Sequence, residues 1–153
     1  MELLQETLKA IKPADENSKA KAKERLDNLT KPIGALGTLE DIAIKMAGIT
    51  GKVHNQIKKR NVVVMCADNG VVAQGVSACP QYFTKFLTEN LIKGYTGVSV
   101  LSNLVGSEVT TVDIGVNAEI DEPKVINRKI AYGTKDMTKE PSMTRDEAIK
   151  AIE

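Results

Sequence analysis

The chain has 153 residues, of which 42% are hydrophobic and 27% charged, and its formal net charge is +1. This composition is typical of a globular protein long enough to bury a hydrophobic core. The near-neutral charge offers no electrostatic attraction to nucleic acid or to a membrane surface, and aromatic residues, at 3% with no tryptophan, provide few base-stacking platforms.

The sequence also argues against export and against metal binding. The N-terminus is charged and has no signal-peptide core, and no apolar run approaches the roughly 18 residues that a membrane helix needs. Two cysteines, Cys66 and Cys79, cannot form a disulfide framework, so we expect reduced thiols in a cytoplasmic protein. With His54 as the only histidine and no CxxC motif, no zinc site is expected.

The first third of the chain reads as helices. Apolar spacing predicts helices over residues 2–11 and 15–29, and a third from Leu39 to Ala47. Thr38 is suited to be the N-cap of the third helix, and Gly51 to end it. Between the second and third helices lies a loop with two glycines, which by pattern alone favours a helix connector over a phosphate cradle.

The rest of the chain alternates strands and helices. Residues 61–67 form an uncharged, partly β-branched run that predicts a central parallel strand, followed by Asp68-Asn69-Gly70 in a turn. A helix is expected from Pro80 to Lys93, with Phe83, Phe86, Leu87 and Leu91 on its buried side. Further predicted elements are a helix at 97–105, strands at 108–116 and 124–131, and a helix opened by a capping box at Thr144.

Two acidic residues stand at corresponding places in this pattern. Asp68 follows the first strand and Asp113 lies near the end of the second, so a right-handed crossover places both at one edge of the sheet. Ligands of open α/β sheets bind outside the carboxyl ends of the strands. The residues alone leave two interpretations equally open: a ligand site, or two carboxylates that tie loop backbone.

Six segments, in order along the whole chain, resemble the nicotinate-nucleotide–dimethylbenzimidazole phosphoribosyltransferase family. Each motif is weak alone, but six in register are specific. They are KPIGALGTLE at 31–40, ADNGV at 67–71, GVSACP at 75–80, NLIKG at 90–94, VDIGV at 112–116 and GTKDMTKEPSMT at 133–144. The resemblance covers only the N-terminal half of that family's length, and the short C-terminal helix and narrow sheet also suggest a piece of a larger domain.

The resemblance implies a fold and a reaction. The fold is α/β, a partial Rossmann-like parallel sheet over 52–153 with an N-terminal helical segment over 1–51. The reaction moves the phosphoribosyl group of nicotinate mononucleotide to 5,6-dimethylbenzimidazole or a related base, in a cytoplasmic homodimer of cobamide synthesis. No metal or redox cofactor is implied, and no nucleic-acid or membrane partner is expected.

The resemblance also implies which residues form the acceptor-base wall. These are Asp68, Cys79, Pro80, Phe83 and Leu87. Further candidates at the edge of the site are Lys31, Gly34, Asn69, Gly70, Asp113 and Gly115. The family's catalytic glutamate and nucleotide phosphate segments lie in its C-terminal half, so no catalytic residue is assigned in this chain.

Three departures from the family pattern suggest a changed acceptor. Asn69 replaces a usual histidine, Ile33 and Ala35 replace proline and serine, and Leu87 replaces glutamine or methionine. We therefore expect a less polar or non-standard aromatic base. The alternative function is a non-catalytic half that binds an aromatic base or nucleotide and needs a partner chain.

Overall fold

A computed structural model describes residues 2–153, which form two compact units, residues 6–58 and residues 2–5 with 59–153. The predicted division into 1–51 and 52–153 stays a prediction. The helices are α1 (Glu2–Ala10), α2 (Glu16–Asp27), α3 (Thr38–Thr50), α4 (Phe83–Lys93), α5 (Gly97–Leu104) and α6 (Arg145–Ile152), with a 3-10 helix at Gly70–Gln74. The strands are β1 (Asn61–Ala67), β2 (Glu108–Gly115) and β3 (Ile126–Asn127).

In the unit of residues 6–58, α2 packs against α3. The backbone N–H of Asp15 donates to the carbonyl of Gly48 at 2.8 Å, and the Lys19 side chain lies over Gly48, where an added Cβ would come within 2.7 Å of it. Thr38 was predicted as the N-cap of α3, but Gly37 takes that position with φ of 53°, and Thr38 is the first helical residue. The prediction was wrong because the left-handed conformation that turns the chain here is one that glycine adopts without strain.

The strands form one parallel sheet in the order β1-β2-β3, which confirms the predicted α/β class. β1 pairs with β2 from Asn61 opposite Glu108 to Ala67 opposite Gly115, with an irregularity after Cys66. β1 was predicted to be central, but among the described strands it lies at the edge and β2 is central. The predicted third strand over 124–131 is reduced to Ile126–Asn127.

Helices α4 and α5 cover one face of the sheet. A core of Cys66, Leu91 and Val116 lies beneath them, with Val64 and Val109 packed against it. The opposite face of β1 is open, since Val63 is 53% and Met65 65% exposed. β1 therefore looks apolar on both faces in sequence while only one face is covered in this chain.

The buried side of α4 differs from the prediction. Leu91 is buried as expected, but Phe86 is 57% exposed, and Phe83 and Leu87 are exposed as well. The residues that α4 buries are Thr88, Asn90 and Leu91. The helix thus turns a partly polar face to the sheet, where the Thr84 hydroxyl donates to Asp68, just after β1, and the Thr88 hydroxyl donates to the Thr84 carbonyl within α4.

Two other predicted helix boundaries are confirmed, whereas α4 begins at Phe83 and not at the predicted Pro80. Gly94 ends α4 in the left-handed conformation. The side chain of Thr144 accepts from the N–H of Glu147, whose carboxylate accepts from the N–H of Thr144, so the predicted capping box opens α6. None of the helices within residues 2–153 has the length and apolar character to cross a membrane.

Candidate active site

Hydrogen bonds from backbone N–H groups to a backbone carbonyl and to a carboxylate hold the ends of β1 and β2 together. The N–H of Asp68 donates to the carbonyl of Gly115 at 3.0 Å. The carboxylate of Asp113 accepts from the N–H groups of Gly115, at 3.1 Å, and of Val116, at 2.8 Å. Both predicted acids therefore lie at one edge of the sheet.

Asp68 is held in one orientation. Its Oδ1 accepts from the hydroxyl of Thr84 on α4 at 2.7 Å, and its Oδ2 accepts from the backbone N–H of Asn117 at 2.7 Å. The residue is only 6% exposed. Each carboxylate oxygen can accept more than one hydrogen bond, so Asp68 keeps acceptor capacity after these two bonds are made.

A cleft of about 320 Å³ opens beside Asp68, between the 3-10 helix and the start of α4. The structure brings all five residues of the predicted base wall to this cleft, together with Asn69. Its lining is Ala67, Asp68, Asn69, Val71, Val72, Val76, Ser77, Cys79, Pro80, Gln81, Phe83, Thr84 and Leu87. An apolar cleft with a few fixed polar groups is the usual form of a small-molecule site.

A second, smaller cavity of about 150 Å³ lies on the other side of Asp68, under α6. Ala67 and Asp68 line both cavities, and Gly115 lines only this one. Its walls are mainly apolar and include Ile114, Ile130 and Met143. Asp68 thus separates two concave spaces at the carboxyl end of the sheet.

Residues 133–140 clamp the loop that follows β1. The N–H of Gly70 donates to the Thr134 hydroxyl at 3.2 Å, and the N–H of Thr134 donates to the carbonyl of Asp68 at 3.0 Å. Gln74 donates to Asp136 at 2.7 Å. A Cβ at Gly70 would lie 2.5 Å from the Thr134 carbonyl, so the predicted site residue Gly70 serves this close approach and does not line the cleft.

Asp113 has a structural role, since its carboxylate is buried and bonded within the protein. It is 1% exposed, and its Oδ2 lies 3.3 Å from the ammonium of Lys129, which is also nearly buried. Lys129 donates to the carbonyls of Val116, at 2.9 Å, and Ala118, and lies 4.2 Å from the ring centre of Tyr132. These bonds use the carboxylate to tie the loop after β2, and Asp113 lines neither cavity beside Asp68.

Lys31 and Gly34 belong to the unit of residues 6–58, whereas Asp68 belongs to the other unit. The ammonium of Lys31 lies 2.8 Å from the carboxylate of Glu40, which also accepts from the N–H of Leu36 at 3.1 Å. Lys31, and to a smaller extent this N–H, lower the pKa of Glu40. Within this unit the motif holds its own loop together.

The two thiols differ, and both are free. Burial raises the pKa of Cys66, which is partly offset by its hydrogen bond with Thr88. Cys79 is exposed at the cleft, where its backbone N–H donates a hydrogen bond to the Ser77 hydroxyl oxygen at 3.2 Å. Cys66 is therefore a core residue, whereas Cys79 is available to a ligand.

Three residues around Asp68 were not predicted from the sequence, and two of them, Gln81 and Thr84, line the cleft. Thr84 and Asn117 hold Asp68, and Gln81 joins them because the Asn117 side-chain amide donates to its Oε1 at 3.1 Å. No periodicity marks them, since they come from α4, the turn before it and the loop after β2. Only the tertiary structure reveals them, through the bonds of Thr84 and Asn117 to Asp68 and of Gln81 to Asn117.

Comparison with known proteins gives the same relatives throughout. A family model described as phosphoribosyltransferase matches residues 11–153. The chain is 55% identical over its whole length to the nicotinate-nucleotide–dimethylbenzimidazole phosphoribosyltransferase of Clostridium tetani, and 52% identical over 97% of its length to that of Ruminiclostridium cellulolyticum. It covers 42% of each of these proteins.

A solved structure agrees. The crystal structure of the phosphoribosyltransferase of the same name from Thermus thermophilus matches with a TM-score of 0.85 and 38% identity, over 89% of this chain and 42% of that one. The chain thus spans less than half the length of the relatives it matches. Since sequence and fold agree over nearly all of its residues, the chain belongs to the nicotinate-nucleotide–dimethylbenzimidazole phosphoribosyltransferase family.

Proposed function

We propose that this chain forms the acceptor-base half of a phosphoribosyltransferase. The whole enzyme moves the phosphoribosyl group of nicotinate mononucleotide to 5,6-dimethylbenzimidazole or a related base, giving α-ribazole 5′-phosphate and nicotinate. The observation that carries the proposal is the cleft beside Asp68, which gathers Cys79, Pro80, Phe83 and Leu87. Its volume of about 320 Å³ is at the lower end of ordinary ligand pockets, as a two-ring base requires.

The chemistry needs positioning above all. A ring nitrogen of the base attacks C1′ of the ribose, the bond from C1′ to the pyridinium nitrogen breaks, and nicotinate leaves with that electron pair. The incoming base gives its N–H proton to a carboxylate, which is a general-base role. Holding two rings in a reactive geometry supplies much of the acceleration.

In this chain, Asp68 is the carboxylate in the cleft, and Thr84 and Asn117 fix its direction. We assign it to base binding and orientation, and we assign no catalytic residue here. The apolar Leu87 and the Phe83 ring provide the flat surface for the base. We expect this half to have little or no turnover alone, because the family's general base and phosphate site belong to the remaining length.

A titration of the 15N-labelled chain with 5,6-dimethylbenzimidazole, followed by two-dimensional NMR, tests base binding. We expect dispersed peaks with shifts concentrated in residues 68–90. Phe83→Ala should weaken binding about 2- to 10-fold, because it removes a stacking surface. Phe86→Ala is the comparison: Phe86 does not line the cleft and its ring contacts that of Phe83 at 5.9 Å between centroids, so this change should weaken binding less than Phe83→Ala. Dispersed spectra without shifts would contradict a base site in this half.

Acceptor choice is tested in a full-length homologue given this chain's cleft. We expect turnover with non-standard or less polar bases when dimethylbenzimidazole, adenine and a phenol are compared. Leu87 supports this, since an apolar side chain at that place cannot hydrogen-bond a base. A strict preference for adenine would exclude it.

The second candidate function is a non-catalytic half that needs a partner. The open face at Val63 and Met65, and the free edge of β1 among the described strands, favour it. Exposed strand edges and apolar faces promote association. We infer that the chain forms dimers or higher oligomers, or pairs with a chain that supplies the rest of the domain, and sedimentation of a clean, stable monomer would argue against both.

A further inference from the structure

Helix α5 buries polar side chains and exposes apolar ones. Ser99 and Ser102 are only 3% and 4% exposed. The large apolar residues on the helix and beside it are between 57% and 81% exposed: Tyr95, Val100, Leu101, Leu104 and Val105. The last four share one face of the helix by their spacing. Single exposed apolar residues are normal on a protein surface, but a contiguous apolar patch marks an interaction site.

Hydrogen bonds and packing hold α5 in this orientation. The Ser99 hydroxyl donates to the carbonyl of Leu91 on α4 at 2.8 Å, and the Thr96 hydroxyl caps the helix by accepting from the Ser99 N–H at 3.3 Å. Val98 packs against the core beneath the helix. Turning the apolar face inward would break these contacts, so the exposed face, which we call the α5 face, is fixed in the folded chain.

The position of α5 separates this face from the open parts of the sheet. The helix contacts α4 and β2, whereas the free edge and the open face at Val63 and Met65 belong to β1. The additional length of the relatives can complete the sheet at β1 without covering α5. The α5 face therefore calls for a partner of its own.

The charges that flank the α5 face are complementary to a second copy of the same face. No charged residue occurs from Gly94 to Ser107, and Lys93 and Glu108 flank this stretch. Both flanking side chains are exposed, and neither has an ion-pair partner among the described residues. In two copies of α5 packed antiparallel about a two-fold axis, each Lys93 lies toward the Glu108 of the other copy. The opposed helix dipoles also favour this arrangement.

The apolar area is sufficient for a dimer. Exposed side chains of this size leave on the order of 100 Å² each in solvent, and a standard interface takes roughly 800 Å² from each partner. The five apolar side chains thus supply more than half of that area. An apolar centre with a charged rim is the usual composition of such an interface.

We propose that the α5 face is a homodimer interface in which the α5 helices of two copies pack antiparallel about a two-fold axis. The occupant of the face is a second copy of this chain. None of the five apolar residues lines the cleft beside Asp68, so the inference goes beyond the proposed base site and does not depend on it.

Sedimentation equilibrium of the 153-residue chain over a concentration series tests the interface. Leu101→Glu places a charge at the centre of the α5 face and should raise the dimer Kd more than 10-fold, because the charge would be buried without a partner. Met65→Glu adds the same charge to the open face of β1 and is the matched control. Both side chains are exposed, so melting curves should show that both variants fold. A monomeric wild-type chain, or a dimer lost in Met65→Glu but kept in Leu101→Glu, would overturn the proposal.

Charge reversal tests the antiparallel arrangement. Lys93→Glu and Glu108→Lys each bring two pairs of like charges together in the dimer and should raise its Kd roughly 3- to 30-fold. The double variant pairs opposite charges again and should restore the wild-type Kd. High salt should reduce the differences among these proteins. If the double variant is no better than the single ones, the antiparallel two-fold arrangement is refuted.

A full-length homologue distinguishes a second copy from the remaining length of the same chain. The change that matches Leu101→Glu should convert its dimer into a folded monomer. If the remaining length of the chain covers α5, the same change would lower the melting temperature and leave the oligomeric state unchanged. That result would overturn the proposal.

Discussion

The carboxylate of Asp68 accepts a hydrogen bond from the backbone N–H of Asn117 at 2.7 Å, across 49 residues of sequence. This bond joins the loop after β1 to the loop after β2, and with Thr84 it fixes the carboxylate at the mouth of the cleft. Asp68 therefore ties loop backbone and also faces two cavities. Asp68 can therefore both hold loop backbone and contribute to a ligand site. Substitutions can measure its contribution to stability separately from its contribution to activity.

Asp68→Asn separates charge from geometry. The new amide oxygen accepts from Asn117 and the new NH2 donates to the Thr84 hydroxyl, so both bonds survive while the charge is lost. In a full-length homologue we expect activity to fall much more than melting temperature. Asp68→Ala removes the acceptors as well and should also cost about 1–3 kcal/mol of stability. Parallel losses of activity and melting temperature in Asp68→Asn would assign the residue to loop tying alone.

Lys129→Met tests the buried ion pair with Asp113. The two charges lie 3.3 Å apart in a nearly buried position, and methionine keeps the aliphatic length. Removing one partner of a buried pair leaves an uncompensated charge and costs about 3–5 kcal/mol. The double variant with Asp113→Asn should recover part of this loss in urea denaturation. Strict additivity of the two single changes would show that the ions do not interact.

Gly70→Ala tests the clamp over the β1 loop. The added Cβ would meet backbone atoms of Thr134, Lys135 and Asp136 at 2.5–2.7 Å, which cannot move as a flexible side chain can. Overpacking of this kind costs about 1–3 kcal/mol.

Gly97→Ala is the matched control for the clamp. No atom lies within 4 Å of the position that its Cβ would take, and Gly97 starts α5 with an ordinary negative φ. This change should be neutral or stabilising by up to about 1 kcal/mol, as for glycine at a compatible site. Equal destabilisation by the two substitutions in chemical denaturation would rule out the clamp as the cause.

Asp136 should make the clamp sensitive to acid. The Thr138 N–H first, then the Gln74 amide and the Thr138 hydroxyl, lower the pKa of Asp136 from 3.8 to about 2. Because the folded pKa is depressed, the carboxylate's contribution to stability is present above pH of about 4 and is lost as pH falls toward 2.

Asp136→Asn provides the comparison. The melting-temperature gap between wild type and this variant should be constant above pH of about 5 and narrow between about 4 and 2. A gap of the same size at every pH would mean that the carboxylate charge plays no part. Asp146→Asn, another acidic residue in the same unit, controls for general charge effects.

The sequence alone determined the elements whose causes are local. β1 has the predicted bounds because a short uncharged run is followed by turn residues. The capping box could be predicted because Thr144 and Glu147 lie within four residues of sequence. The motif series also determined the family, since short segments in a fixed order along the chain can be recognised without any knowledge of contacts.

Only the tertiary structure decided what depends on distant partners. β1 looked central because its composition reports apolar faces and not which of them this chain covers, so its edge position could not be read from residues 61–67. The exposure of Phe86 follows from the rotation of α4 that brings Thr84 to Asp68. The joint hold of Asn117 on Asp68 and Gln81 spans 49 and 36 residues, and a hydrogen bond between distant segments has no periodic trace in sequence.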